Sequence, residues 1–270
     1  MSERRNGEEK IMQDSFGIEI PSVKNLVSAE EWQARIDLAC AYRVVDYYGW
    51  TNVIANHISL RVPGNEDNFL INPYGLMYDE VTASSLVKVD LHGNKVIESI
   101  FEINQAGFVL HSAIHAARAD VICAIHTHTE AGMAVSAQKC GLLPLTMAAI
   151  RFYKNLAYHE YEGVILDLAE QENIVKHLGD KYAMILRNHG LLTLGRNLGE
   201  AFYLMYNLEK ACRSQLAAMA GGTDLNIPRK SILEKSSAQS WIANNKYSDM
   251  HPTWPALMRK MDRIDPSFRT

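Results

Sequence analysis

The sequence predicts one α/β domain. Stretches with the spacing of amphipathic helices alternate with short apolar stretches typical of buried strands, and no linker or repeat interrupts them. The chain has 270 residues, 47% of them hydrophobic and 21% charged, so it can bury a full core without disulfides. We expect a flexible tail (1–20), a domain (21–222) and a C-terminal extension (223–270).

Charge and composition exclude several classes of protein. A net charge of −4 and a pI near 6.2 provide no basic surface for nucleic acid. No stretch approaches the ~18 apolar residues of a membrane span, and the N-terminus MSERRNGEEK lacks the apolar core of a secretory signal. The four cysteines form no C-x-x-C pair, which favours reduced thiols. We expect a cytoplasmic protein that binds neither nucleic acid nor membrane.

The first part of the chain carries one helix signal and two hairpin signals. Ser28 and Glu31 have the spacing of a capping box, and the helix that they open is predicted to end at Gly49. Residues 57–75 and 84–97 each contain two short apolar stretches around turn residues. Both ranges are therefore predicted to form hairpins.

Helix patterns and strand patterns continue to alternate through the rest of the domain. Apolar residues recur every three to four positions in four ranges, and residues 183–195 show two apolar stretches around a glycine turn. The predicted helices cover residues 104–120, 129–141, 166–179 and 198–222. The extension after residue 223 has few periodic signals, and we expect it to pack on a neighbouring subunit.

Two histidines end an apolar stretch in VICAIHTHTEAG (121–132). Alternate side chains of a strand share a face, so His126 and His128 point the same way. Two neutral imidazoles on one face can bind a metal ion, although packing histidines would give the same pattern. His189, at a strand end just before a glycine, can supply a third nitrogen donor.

Several segments of the chain together form a specific pattern that covers about residues 28–222. They are NHISLRV (56–62), INPYGLMYDEVTASSLVKVDLHG (71–93), NQAGFVLHSAIHAARAD (104–120), AIHTHTEAGMAVSAQKCGLLP (124–144), AYHEYEG (157–163) and LRNHGLLTLG (186–195). With these segments the chain resembles the class II aldolase and adducin family. The similarity is strongest to the adducin head domain.

The resemblance implies a fold, an assembly and a metal site. The fold is a three-layer αβα arrangement around a mostly antiparallel sheet, and the assembly is a homotetramer with its sites between subunits. In the sugar-phosphate aldolases of this family, the histidines that match His126, His128 and His189 hold zinc. Nitrogen donors also suit manganese and iron, so we expect a divalent metal, with Zn²⁺ favoured.

The chain departs from those aldolases where they bind the substrate phosphate and move protons. Their catalytic glutamate lies four residues before the histidine that matches His111, and this position is Gly107 here. Two phosphate-binding serines are replaced by Gln105 and Ala106. These departures argue against a sugar-phosphate substrate, because small residues and free backbone N–H groups favour phosphate binding.

The positions that match the family's substrate loops suggest candidates for the remaining roles. His57 is a candidate proton carrier near neutral pH. The alternative to a catalytic role is an oriented surface histidine. Asn56, Asn104 and Gln105 are candidate substrate-pocket residues. His111 is expected to be a packing residue.

Two kinds of function fit these observations. The first is a metal-dependent lyase that breaks a carbon–carbon bond, by retro-aldol cleavage or decarboxylation, in a small carbonyl or carboxylate substrate. The alternatives are a catalytically silent adducin-like oligomerisation module and a non-haem iron oxygenase on the same fold. The chain ends at Thr270 without the neck and basic tail that follow an adducin head, which favours the enzyme.

Overall fold

A mixed sheet forms the central layer of the computed structural model, which describes residues 18–64, 67–163, 168–246 and 250–270, and of residues 168–170 the backbone alone. Most of the predicted N-terminal tail, residues 1–17, lies outside the described residues. Seven strands form the sheet in the described ranges: β1 His57–Arg61, β2 Asn68–Ile71, β3 Val87–Asp90, β4 Cys123–Thr127, β5 Ala157–His159, β6 Ala183–Leu186 and β7 Gly190–Gly195. Their order is β3-β2-β1-β4-β7-β6-β5.

The strands pair antiparallel except for β5 and β6, which are parallel. The hairpin predicted over 57–75 is confirmed as β1–β2, and the two stretches around a glycine turn over 183–195 form the strands β6 and β7. The predicted hairpin over 84–97 is shorter than expected, because β3 is followed by a single bridge between Val89 and Lys95.

Helices cover both faces of the sheet, which confirms the predicted α/β class. They are α1 Ala29–Tyr47, α2 Gln105–Ala117, α3 Glu130–Ser136, α4 Met147–Ile150, α5 Leu168–Leu178, α6 Leu198–Ala220, α7 Lys230–Asn245 and α8 Thr253–Ile264. Within the described ranges none of these helices is long and apolar enough to cross a membrane. Short 3₁₀ segments cover Lys24–Leu26 and Pro266–Arg269.

The first helix begins and ends where the sequence predicts. The Ser28 hydroxyl accepts a hydrogen bond from the backbone N–H of Glu31 (3.1 Å), and Gly49 follows the helix with φ +66°. The Glu31 carboxylate does not complete a capping box. It is buried and forms ion pairs with Arg35 (3.1 Å) and Lys88 (2.7 Å).

Each face of the sheet has its own apolar core. Side chains of α1, α6 and α8 pack on one face, and side chains of α2 and α5 pack on the other. Strand β4 serves both cores, because Cys123 and Ile125 enter the first core and Ala124 enters the second. By the same alternation His126 lies on the α2 face.

The C-terminal extension contains two helices, although few periodic signals predict them. Trp254, Leu257 and Met261 of α8 are buried in the core that α1 and α6 share, and Phe268 is fully buried there too. This part of the extension therefore packs on its own chain. The boundaries of the domain at residues 21 and 222 and a contact with a neighbouring subunit stay predictions.

A buried row of polar side chains joins β1 to α2. The Ser59 hydroxyl oxygen lies 2.6 Å from Nδ1 of His111 and 2.7 Å from Nε2 of His115. Since the hydroxyl carries one proton, it donates to one imidazole and accepts from the other. Arg61, two residues further on β1, donates to the carbonyl oxygens of His115 (2.7 Å) and Val121 (3.2 Å).

These buried imidazoles predict how stability depends on pH. Burial lowers the pKa of His111 well below its usual value, and burial together with the Arg61 charge lowers the pKa of His115 to about 3. Their pKa in the unfolded chain is about 6.5, so between these values the unfolded chain binds more protons. The contribution of these two imidazoles to the free energy of unfolding is therefore complete above about pH 6.5. It decreases as the pH falls below this value, by up to about 1.4 kcal/mol per pH unit for each imidazole.

Urea unfolding of the unmodified protein and the His115→Gln variant at pH 7 and pH 5 measures this effect. We expect the loss in unfolding free energy between the two pH values to be smaller in the variant, which lacks one titrating group. His92→Gln, at an exposed turn, is the control. Equal losses in all three proteins would contradict the expectation.

Candidate metal centre

The predicted metal ligands lie at one end of the central strands of the sheet, where β4 ends and β7 begins. His126 is in β4, opposite His57 of β1 on one side and Leu192 of β7 on the other. His128 follows β4, and His189 lies in the tight connection between β6 and β7, where its backbone N–H donates to the Leu186 carbonyl oxygen (3.1 Å). The strand register thus brings together residues that are 61 positions apart.

Gly190 allows the close approach of these two chain segments. A Cβ atom at this position would lie 2.4 Å from the backbone carbonyl oxygen of Thr127 and 3.1 Å from Cδ2 of His128. Any larger residue would therefore push β7 away from β4, and His189 with it. The glycine that follows His189 in the sequence has this structural role.

The three imidazoles converge through their Nε2 atoms. Nε2 of His128 lies 2.8 Å from Nε2 of His126 and 2.9 Å from Nε2 of His189. The nitrogen atoms that these residues offer as ligands all lie within 4.8 Å of one another. In the part of the chain that the structure describes, no carboxylate or thiolate belongs to this group.

The hydrogen bonds behind the rings test whether the cluster fits a metal ion. Nδ1–H of His126 donates to the backbone carbonyl oxygen of Leu191 (2.9 Å), which leaves the lone pair on its Nε2. Nδ1 of His128 lies 3.3 Å from the amide nitrogen of Asn52. Rotation of the Asn52 amide by 180° would exchange its nitrogen for its oxygen at this position. Nδ1–H of His128 could then donate to that oxygen, which leaves the lone pair of His128 on Nε2. The donor set fits a divalent metal of the zinc type, which binds neutral imidazole nitrogens.

Burial keeps the three rings neutral. It lowers the pKa of His126 well below its usual value, and repulsion by the neighbouring imidazoles in their protonated form lowers this pKa further. Burial and the charge of His128 lower the pKa of His189 to about 4, and burial also lowers the pKa of His128. Metal ions bind the unprotonated form of histidine, so the cluster is in the right state at neutral pH.

Asn56 holds the chain at the end of β4. Its side-chain oxygen accepts a hydrogen bond from the backbone N–H of His128 (3.0 Å), and its amide nitrogen donates to the carbonyl oxygen of Trp50 (3.1 Å). The residue is fully buried and has φ +96°. Both ends of its amide are thus engaged by backbone groups, and its predicted contact with substrate stays a prediction.

His57 lies beside the cluster as an inner residue and not as a surface histidine. Its ring is stacked on that of His126, with centroids 6.4 Å apart and an angle of 17° between the ring planes. The ring of His111 lies 5.9 Å away on another side. Neither ring nitrogen of His57 has a hydrogen-bond partner among the described residues, and burial lowers the pKa of its imidazole to about 3.

The other predicted pocket residues lie at the start of α2. Asn104 caps this helix, and its side-chain oxygen accepts a hydrogen bond from the backbone N–H of Gly107 (3.2 Å). Gln105 is the first residue of the helix and is exposed. A contact of either residue with substrate stays a prediction.

The sequence predictions do not include two residues that contact the histidines of this region, Asn52 and Ser59. Asn52 precedes the first strand in a stretch without a recognisable motif, so nothing in the sequence indicates its contact with His128. Ser59 could have been found, because it shares a strand face with His57 and lies opposite a helix with histidines four positions apart.

A second pair of imidazoles lies outside this centre. The Nδ1 atoms of His159 and His177 are 2.9 Å apart.

Sequence comparison relates this chain to proteins provisionally named class 2 aldolases and to adducins. The family described as the class II aldolase and adducin N-terminal domain matches residues 36–216. A Pseudomonas aeruginosa protein whose name assigns it provisionally to the class 2 aldolases is 48% identical over 92% of this chain and 96% of its own length. Alpha-adducin of Rattus norvegicus is 51% identical over 87% of this chain, which corresponds to 34% of the adducin.

Solved structures agree with the sequence comparison. An aldolase II superfamily protein from Pseudomonas syringae has a TM-score of 0.86 and 46% identity over 92% of this chain and 99% of that protein. The L-fuculose 1-phosphate aldolase of Glaciozyma antarctica has a TM-score of 0.76 and 27% identity over 90% and 94% of the two chains. Class II aldolases are typically metal-dependent, often oligomeric, and act on small molecules. From its matched residues and its fold, this chain belongs to the class II aldolase and adducin family.

Proposed function

We propose that this protein is a metal-dependent lyase that cleaves a carbon–carbon bond in a small carbonyl or carboxylate substrate. The convergence of three Nε2 atoms from His126, His128 and His189 carries the proposal. Neutral nitrogen lone pairs this close repel one another unless a proton or a cation lies between them. A divalent cation is the partner that the donor set favours.

The neutral donors suit a bond cleavage that leaves charge on an oxygen atom. When bound, a divalent metal supplies a Lewis acid that withdraws electron density from a substrate carbonyl or carboxylate oxygen. Three imidazoles contribute no negative charge, so they do not weaken this effect as a carboxylate ligand would. The Leu191 carbonyl and Asn52 hold the rings of His126 and His128 from behind.

The substrate that we propose carries no phosphate. The Glaciozyma enzyme is named for a sugar phosphate. In this chain Gln105 and Ala106 replace the serines that the resemblance assigns to phosphate binding, and Gly107 replaces the glutamate. Asn104 and Gln105, at the start of α2, are the proposed substrate contacts.

His57, whose buried imidazole is neutral at pH 7 because burial lowers its pKa to about 3, is the proposed proton acceptor in place of the missing glutamate. It lies next to His126, and its two ring nitrogens are buried without a protein partner among the described residues. A buried imidazole without a partner is unfavourable, which is consistent with a polar group of the substrate or a water molecule completing its hydrogen bonds.

We further propose a cytoplasmic homotetramer with zinc as its metal. Relatives of this family are often oligomeric, and exposed apolar side chains near the cluster, such as Val53 and Tyr161, are suited to contact between subunits. Manganese and iron remain alternatives for the same three nitrogen donors.

One observation favours a second candidate function. The identity to alpha-adducin, at 51%, is as high as the identity to the bacterial relatives named for aldolases. An adducin-like module that assembles without catalysis is therefore the competing proposal. Fold and family alone do not decide between them, because one fold carries many functions.

Metal analysis tests the proposed centre. We expect the purified protein to contain about one Zn²⁺ per chain, because three histidines form one site. The variant H126A/H128A should lose the metal, whereas H159A/H177A, which removes the other close imidazole pair, should keep it. Mass spectrometry of the elements together with circular dichroism measures both metal content and folding. Metal retained in folded H126A/H128A would contradict the assignment.

A substrate screen of the Zn²⁺-loaded protein separates the two candidate functions. We expect turnover of one class among β-hydroxy carbonyl compounds, 2-oxo acids and aromatic carboxylates, without a requirement for phosphate. His189→Ala should lower kcat/KM roughly a hundredfold or more, since it removes a proposed metal donor. His92→Ala is the matched control. Metal-loaded protein that turns over none of these classes would favour the adducin-like module.

A further inference from the structure

We propose that His57 and Gly107 form a coupled pair that positions His126. The missing side chain at residue 107 leaves the space that the His57 imidazole occupies, and the imidazole in turn holds the ring of His126. The effect of this pair on metal affinity rests on the proposed metal function. The coupling between the two residues does not.

The geometry around Gly107 carries the first half of the proposal. A Cβ atom at residue 107 would lie 2.3 Å from Cδ2 of His57 and 2.5 Å from both Cγ and Nε2. Real Cβ atoms essentially never approach another heavy atom within 3.0 Å. Even alanine at this position would therefore displace the imidazole ring as a whole.

The His57 ring has little freedom to move away. It is 6% exposed and lies between two other imidazoles, those of His126 and His111. His111 is itself fixed through its Nδ1 atom by the Ser59 hydroxyl, which lies two residues beyond His57 on β1. A displaced His57 ring would therefore move against its neighbouring rings, among them the parallel ring of His126.

The chemistry of His57 carries the second half. An apolar side chain would fill the same space without leaving two buried nitrogens unpartnered. His57 also lies opposite His126 in the β1–β4 pairing, so the two neighbouring rings are anchored to the same sheet. This arrangement makes His57 a positioning residue for one of the three proposed metal donors.

Gly107 provides a test in which the direction of the effect changes. The residue lies in the first turn of α2, where helix propensity by itself favours alanine over glycine. Gly107→Ala should therefore destabilise the protein when His57 is present and should stabilise it when His57 is alanine. Independent sites would show the same effect in both backgrounds.

The experiment compares the melting temperatures of the unmodified protein, G107A, H57A and H57A/G107A without added metal. We expect G107A alone to lower the melting temperature by roughly 2–10 °C, as overpacking of a core does. In the H57A background the same substitution should raise the melting temperature. If G107A alone does not fold, folded H57A/G107A still supports the pair. Equal shifts in both backgrounds, or failure of the double variant to fold while H57A folds, would overturn the proposal.

Competition with a chelator then measures the affinity of each protein for Zn²⁺ alone. We expect H57A to weaken Zn²⁺ binding roughly 10–100-fold, as loss of a residue behind a metal ligand does, whereas the control His92→Ala leaves it unchanged. Unchanged affinity in H57A would overturn the positioning role. Absence of Zn²⁺ binding in the unmodified protein would instead refute the metal function, and the melting temperatures would still test the coupled pair.

Discussion

The pairing of β4 between β1 and β7 is the constraint on which the rest of the structure depends. Backbone hydrogen bonds of the two antiparallel ladders set His57 opposite His126 and Leu192 on its other side. Because side chains alternate with a period of two, a shift of one residue would turn His126 into the opposite core. The register therefore decides whether the imidazoles meet at all. Gly190 supports it, since only glycine fits against the Thr127 carbonyl.

The α2 face of the sheet combines an apolar core with a buried polar row. Phe69, Ala124 and Leu192 pack there, and the ring of Phe69 stacks on His115 at 4.9 Å. Ser59 satisfies one nitrogen each of His111 and His115, so part of the row is hydrogen-bonded as buried polar groups normally are. The row leads from Arg61 along β1 to His57 and reaches the three converging Nε2 atoms. Its imidazoles are neutral because burial disfavours the charged form.

Membership of the class II aldolase and adducin family fits this scaffold without deciding the reaction. The same sheet and the same histidine positions are compatible with an enzyme and with a module that has lost its chemistry. At the start of α2, the imidazole of His57 from β1 occupies the space that a side chain at residue 107 would need. The reaction therefore depends on the groups around the three histidines and not on the fold.

Much of the fold could be predicted from local patterns. The Ser28 cap, the β1–β2 and β6–β7 hairpins and the long helix α6 all depend on residues close in sequence, and the structure contains each of them. The pattern in α8 was missed, although Trp254, Leu257 and Met261 have helical spacing. The burial of this segment depends on distant partners in α1 and α6, which local periodicity does not reveal.

The sequence by itself determined the class of the fold, the alternation that sets His126 and His128 on one face, and, through the family motifs, the choice of His189 as their partner. Tertiary structure alone decided that Ser59 bridges two imidazoles, that Asn52 and the Leu191 carbonyl hold the rings, and that His57 fills the space over Gly107. The reason is physical. Local propensity and periodicity act between neighbouring residues, whereas these contacts depend on the distances between strands and helices that come together only when the chain packs.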